Sequence, residues 1–160
     1  MKKIGELKVS DYMNEQTFVV DDTEKLSHAI GLMEHNRLSV LPVVDGQGQI
    51  VGILSNSDLI AITHELQSDI SALHYVTDKT REFLIKLIMD QGDTTFVSDV
   101  MTTPVETIKA NMNLVVAARK LVNRHFHHLP VIDDEGMPIA ILSTSDFVRA
   151  FADHGALIAG

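Results

Sequence analysis

No cysteine occurs anywhere in the 160 residues. That excludes disulfides, thiolate nucleophiles and thiolate metal sites. Cations are scarce: 13 Lys and Arg face 22 Asp and Glu, for a formal net charge of −9. A nucleic-acid coat draws mainly on Lys and Arg, so this balance argues against one. No segment approaches the ~20 apolar residues that a membrane helix requires. Met1-Lys2-Lys3 is followed by Ile4-Gly5-Glu6 and not by an apolar run, so no signal peptide is expected. A cytoplasmic protein with no membrane and no nucleic-acid partner is the plain expectation. The nucleophile elbow Gly-x-Ser-x-Gly, the phosphate loop Gly-x-x-x-x-Gly-Lys-Ser/Thr and the dinucleotide fingerprint Gly-x-Gly-x-x-Gly are all missing.

What the chain does contain is one segment twice. Val9-Ser10-Asp11-Tyr12-Met13 returns as Val97-Ser98-Asp99-Val100-Met101. Leu41-Pro42-Val43-Val44-Asp45 returns as Leu129-Pro130-Val131-Ile132-Asp133. Ile53-Leu54-Ser55-Asn56-Ser57-Asp58 returns as Ile141-Leu142-Ser143-Thr144-Ser145-Asp146. Each block recurs 88 positions later, so no insertion separates the blocks within a copy. A unit of about fifty residues is marginal for an independent core. Two such units are expected to bury their apolar faces together, with clefts between them.

Each copy reads as strand, helix, strand, strand, helix. In the first, Val9–Met13 forms a short turn capped by Ser10. Thr17–Val20 suits a strand, and Thr23 caps a helix carrying Leu26, Ala29, Ile30 and Met33 on one face. Val40–Val44 is a strand that Pro42 places near a sheet edge or end. Asp45-Gly46-Gln47-Gly48 turns into the strand Ile50–Leu54, and Ser55–Asp58 opens the last helix. The second copy runs from Val105–Ile108 through Leu114–Leu121, Leu129–Ile132 and Ile139–Leu142 to the helix after Asp146. The boundaries follow: 1–62 for the first repeat, 63–95 for a structured helical linker, and 96–160 for the second repeat. In the linker, Thr77-Asp78-Lys79-Thr80 starts a helix. Phe83, Leu84, Leu87 and Ile88 give it a stripe, and Gly92 ends it. That stripe suits core, a dimer contact or a partner surface.

The ordered set, doubled at one offset, resembles the CBS domain, the repeat first named for cystathionine β-synthase. Two in tandem resemble a CBS pair, or Bateman module. The resemblance implies an α+β fold of tandem CBS repeats, β-α-β-β-α each, packed sheet to sheet with pseudo-twofold symmetry. It implies a regulatory, non-enzymatic sensor of an adenine nucleotide (AMP, ADP, ATP) or of S-adenosylmethionine, with Mg²⁺ accompanying ATP and no cofactor required. It also implies a homodimer and a separate effector protein.

Site residues carry over by position. Asp58 and Asp146 would take the ribose hydroxyls, with Ser55 and Ser143 beside phosphate. Ser39 and His127 lie three positions before each proline and would approach phosphate, with His128 adjacent. Ile53 and Ile141 would touch the nucleoside. Thr17 and Phe18, or Val105 and Glu106, would lie near the base. The chemistry suits these residue types, because a helix start gathers free N–H donors for phosphate and a carboxylate can accept from a diol. With His127 near Arg124, His125 and His128, the Ser143–Asp146 cleft is expected to hold phosphate better than the uncharged Ser39 side.

Three alternatives stay open. Ser-x-x-Asp is also a helix-capping arrangement, which would leave a ligand-free scaffold. Ser143 and His127 could serve a small hydrolase, although no orienting third group is evident. His125 and His127 would share one face of a strand, a spacing compatible with zinc, but one pair is not a full ligand set. No metal site is expected. Ala140 stands where the first copy has Gly52, a departure that implies tighter backbone approach in the second.

Overall fold

A computed structural model describes residues 3–15, 18–66, 82, 86 and 93–154. In chain order the elements are β1 (Asn14–Glu15), β2 (Val20–Asp21), α1 (Leu26–His35), β3 (Val40–Val44), β4 (Ile50–Ser55), α2 (Asn56–Leu66), β5 (Ile108–Lys109), α3 (Leu114–Arg124), β6 (His128–Ile132), β7 (Pro138–Ser143) and α4 (Thr144–His154). Two compact units result. One comprises residues 1–17 with 106–160, and the other residues 18–105. The units therefore do not coincide with the repeat boundaries 1–62, 63–95 and 96–160: the opening segment of each repeat belongs to the unit built on the other copy. The linker stripe of Phe83, Leu84, Leu87 and Ile88 lies outside the described residues.

In the 18–105 unit the sheet order is β2-β3-β4. β3 and β4 form an antiparallel hairpin, with Leu41 opposite Leu54 and Pro42 opposite Ile53. Pro42 sits on the central strand and not at a sheet edge. It is tolerated because β2 pairs only Val43 and Val44, so Pro42 falls beyond that short ladder. The hairpin turns where Asp45 Oδ1 accepts from the Gln47 and Gln49 amides, and Gly48 adopts φ +80°. α1 lays Leu26, Ala29, Ile30 and Met33 into the core with Leu41, Val43 and Leu54. Each large side chain buried there contributes about 1.5–3 kcal/mol of transfer free energy.

The expected strand Thr17–Val20 is shorter and later: β2 starts at Val20, and Phe18 and Val19 are exposed. Thr23 does not cap α1. Its amide and hydroxyl both donate to Asp21 Oδ1, and the helix starts after Lys25. Residues 95–102 close this unit. The Leu26 amide donates to the Thr95 carbonyl, the Val97 amide to the Glu24 carbonyl, and Ile53 and Thr102 exchange backbone hydrogen bonds of 3.1 and 2.9 Å.

In the other unit the sheet order is β1-β7-β6-β5. β1 is supplied by the chain's N-terminal segment and sets Asn14 opposite Ile141 and Glu15 opposite Ala140. The β6–β7 hairpin turns on Asp133 Oδ1, which accepts from the Glu135 and Met137 amides, with Gly136 at φ +85°. α3 is capped by Asn113, whose Oδ1 accepts from Val115 and Val116 and whose Nδ2 donates to the Gly5 carbonyl. The core joins Leu7, Val9 and Tyr12 to Leu114, Ala117, Leu121, Leu129, Val131, Ala140 and Leu142. The Val9–Asp11 turn is closed not by Ser10 but by Asp11, whose Oδ2 accepts from the Lys8 amide at 2.8 Å. Asp99 does the same for Phe96 at 2.9 Å. The second expected strand also shifts, starting at Ile108 and not at Val105.

Candidate functional site

Both Ser-x-x-Asp segments sit where a sheet strand passes directly into a helix, β4 into α2 and β7 into α4. The local geometry is the same in each. The Ser55 amide donates to Asp58 Oδ2 at 2.7 Å, and the Ser55 hydroxyl at 2.6 Å. Ser143 makes the equivalent bonds to Asp146 Oδ2 at 2.7 and 2.8 Å. The acid therefore reaches back over the helix start, which orients the carboxylate and holds the serine hydroxyl beside it. A carboxylate that accepts from the amide three residues before it is one half of a capping box and braces a helix start with no ligand present.

A third residue completes each carboxylate. Thr102 Oγ1 donates to Asp58 Oδ1 at 2.7 Å, and Asn14 Nδ2 donates to Asp146 Oδ1 at 2.9 Å. Thr102 and Asn14 are equivalent across the 88-residue offset, each following the methionine of its opening block. Sequence reasoning missed both, yet the doubled offset carried the signal. Asp146 has a further donor with no counterpart at Asp58 among the described residues, the Arg149 guanidinium at 2.8 Å. Arg149 also donates to the Tyr12 carbonyl at 2.8 Å, and the Tyr12 hydroxyl donates to Asp153 at 3.0 Å. Desolvation first, then the bond to Asp153, pushes the Tyr12 phenol above its ordinary range.

The remaining expected residues divide. The Asn56 amide donates to the Ser39 carbonyl, and the Thr144 amide to the His127 carbonyl, so both pre-proline positions adjoin their helix starts through backbone. The Ser39 and His127 side chains are exposed. His128 faces Ser143 across the β6–β7 ladder. Burial, then the neighbouring His127, holds its imidazole below the usual range, against the pull of Asp146. Ile53 lies beside Thr102, and Ile141 is buried opposite Asn14. Phe18 is exposed and Val105 is half-buried, both outside any strand. Thr17 lies outside the described residues.

Glu106 is engaged elsewhere. It bonds Lys120 at 3.2 Å and lies 3.6 Å from Arg124, at the rim of a cavity of about 320 Å³ that Val116, Arg119 and Asn123 also line. His125 caps α3 in a left-handed conformation and β6 starts only at His128, so His125 and His127 do not share a strand face. Among the described residues, no three His, Asp or Glu side chains converge as a metal site. The Ser143 hydroxyl bonds Asp146 and Ser145, and no described hydrogen bond joins it to the His127 ring.

The family model for the CBS domain matches residues 9–65 and again 97–153. The chain belongs to the CBS domain family. Its fold is α+β with CBS repeats in tandem. It is 34% identical to the chloroplastic CBS domain-containing protein CBSX2 of Arabidopsis thaliana over 92% of this chain, which spans 65% of that relative's length. It is 32% identical to Uncharacterized protein MJ1426 of Methanocaldococcus jannaschii over 89% of each. The crystal structure of CBSX2 in complex with AMP matches with a TM-score of 0.68 and 28% identity, covering 91% of this chain and 96% of that one. Among the described residues, no helix is long and apolar enough to cross a membrane.

Proposed function

We propose that this CBS pair is a cytoplasmic regulatory module, not an enzyme, that binds an adenine nucleotide at its Ser-x-x-Asp helix starts and signals to a separate effector. The observation that carries the reading is the pre-oriented pair of serine hydroxyl and aspartate carboxylate at each strand-to-helix junction. The AMP complex of its relative CBSX2 supports the ligand class. A motif aspartate accepts from the ribose diol. The serine and the first helical amides, with His127 and His128 in the second copy, approach phosphate through the positive end of the helix. Ile53 or Ile141 packs on the nucleoside, and Thr17, Phe18, Val105 and Glu106 are the base-side candidates. Binding shifts the population of module conformations by no more than the ligand's preference among them.

Thermal melting with AMP, ADP, ATP with Mg²⁺, and S-adenosylmethionine tests this. A true ligand at a hundred times its Kd adds about 2.7 kcal/mol, or roughly 5–10 °C for a chain of this size. No shift with any of them refutes it.

These bonds across each helix start support a second reading, an interaction scaffold whose motifs serve only the helices. Val122 and Val116 on α3 and Val148 and Phe151 on α4 are exposed at 72, 47, 69 and 61%. These apolar helix faces favour a homodimer, which analytical ultracentrifugation tests.

A further inference from the structure

The two motifs are built alike, but their carboxylates are not equally open. A carboxylate offers about four acceptor positions. At Asp146 four donors are present: Asn14 Nδ2, Arg149 Nη2, and the Ser143 amide and hydroxyl, all between 2.7 and 2.9 Å. Asp146 is 1% exposed. At Asp58 three donors are described, the Ser55 amide and the hydroxyls of Ser55 and Thr102. Two of these three are rotatable hydroxyls, which can turn to another acceptor when a diol arrives. Asp58 is also only half-buried.

We propose that Arg149 makes the copies unequal: it commits Asp146 to the fold and leaves Asp58 as the carboxylate of this chain that takes a ribose diol. The position 88 residues before Arg149 is Ala61, which carries no donor and is exposed. Ionised donors bind carboxylates more strongly than neutral hydroxyls do, so a ribose displaces Arg149 only at a loss. The same Arg149 Nη2 also donates to the Tyr12 carbonyl, and the Tyr12 ring centre lies 5.8 Å from the guanidinium carbon, so Arg149 has a second anchor. This ranking is the reverse of the one expected from the histidines around His127, because the decisive cation acts on the carboxylate and not on phosphate.

The inference rests on the nucleotide reading, and its test separates the two. Calorimetric titration of the full chain with AMP is expected to give one site per chain. Asp58→Asn should weaken binding at least ~tenfold, the effect of about 1.4 kcal/mol. Ala61→Arg, which copies the lock onto the surface of α2, should weaken it comparably, whereas Arg149→Ala should raise the stoichiometry toward two. Two equal sites in the wild type, or an Ala61→Arg protein that binds AMP unchanged, would overturn the inference. A second arm needs no ligand. Melting temperatures of Arg149→Ala, Asp146→Asn and the double variant should be clearly non-additive, and additive losses would also overturn it. Non-additive losses with no AMP heat in any variant would support the lock and refute the nucleotide reading.

Discussion

Replacing Gly52 by alanine tests the packing that holds Asp58 in place. A Cβ at Gly52 would run into the Met101 sulfur, come within 3.0 Å of Met101 Cγ and within 3.2 Å of the Thr102 carbonyl oxygen. The thioether can swing aside. The carbonyl cannot move freely, because Ile53 and Thr102 are joined by two backbone hydrogen bonds and the Thr102 hydroxyl is bonded to Asp58. Overpacking of this kind costs about 1–3 kcal/mol. Reduced freedom of the unfolded chain offsets about 0.4–1 kcal/mol of it. The net loss should be about 1–2 kcal/mol, or a fall in Tm of roughly 2–8 °C. The reverse exchange in the second copy, Ala140→Gly, should also destabilise. It removes a fully buried methyl from the core and puts glycine into a strand, together about 1–2 kcal/mol. Differential scanning calorimetry on both variants and on Gly52→Ala/Met101→Ala checks the reasoning, with a double-variant loss smaller than the sum. A Gly52→Ala protein that melts at or above the wild type would refute it.

Thr102→Val should cost about 1–2 kcal/mol by stripping a donor from Asp58, read as a lower midpoint in urea. Asn113→Ala should cost about 1 kcal/mol through loss of the α3 cap, with hydrogen exchange rising at Val115 and Val116. His128 is a group whose folded pKa is depressed, so the unfolded chain takes up its proton first. Its contribution to stability is intact above the ordinary imidazole value of about 6.5 and is lost as pH falls below it. His128→Gln should therefore lose less stability than wild type between about pH 7 and 5, and parallel pH profiles of the two proteins would contradict this.

The repeat offset and the hydrophobic periods made the element order legible, and α1, the two hairpins and both strand-to-helix junctions lie where those patterns put them. Boundaries shifted where a side chain competed for backbone donors. Asp21 took the amide of Thr23, and Asp11 took the capping role assigned to Ser10. The site was half legible. Ser-x-x-Asp announces itself by spacing, but Asn14 and Thr102 reach it from segments distant in sequence, which no local pattern reports. Arg149 falls three residues from Asp146 on α4, a neighbour spacing in any helix. Only the structure distinguishes it from a solvated cation.

The unit of residues 18–105 is one continuous stretch, whereas the other is interrupted by it. During synthesis, the uninterrupted stretch can therefore finish folding first. Tyr12 and Asn14, made before it, must wait with their apolar neighbours uncovered until α4, made after it, emerges. Loop closure over more than a hundred residues slows such a step. That interval is when a chaperone would have most to hold.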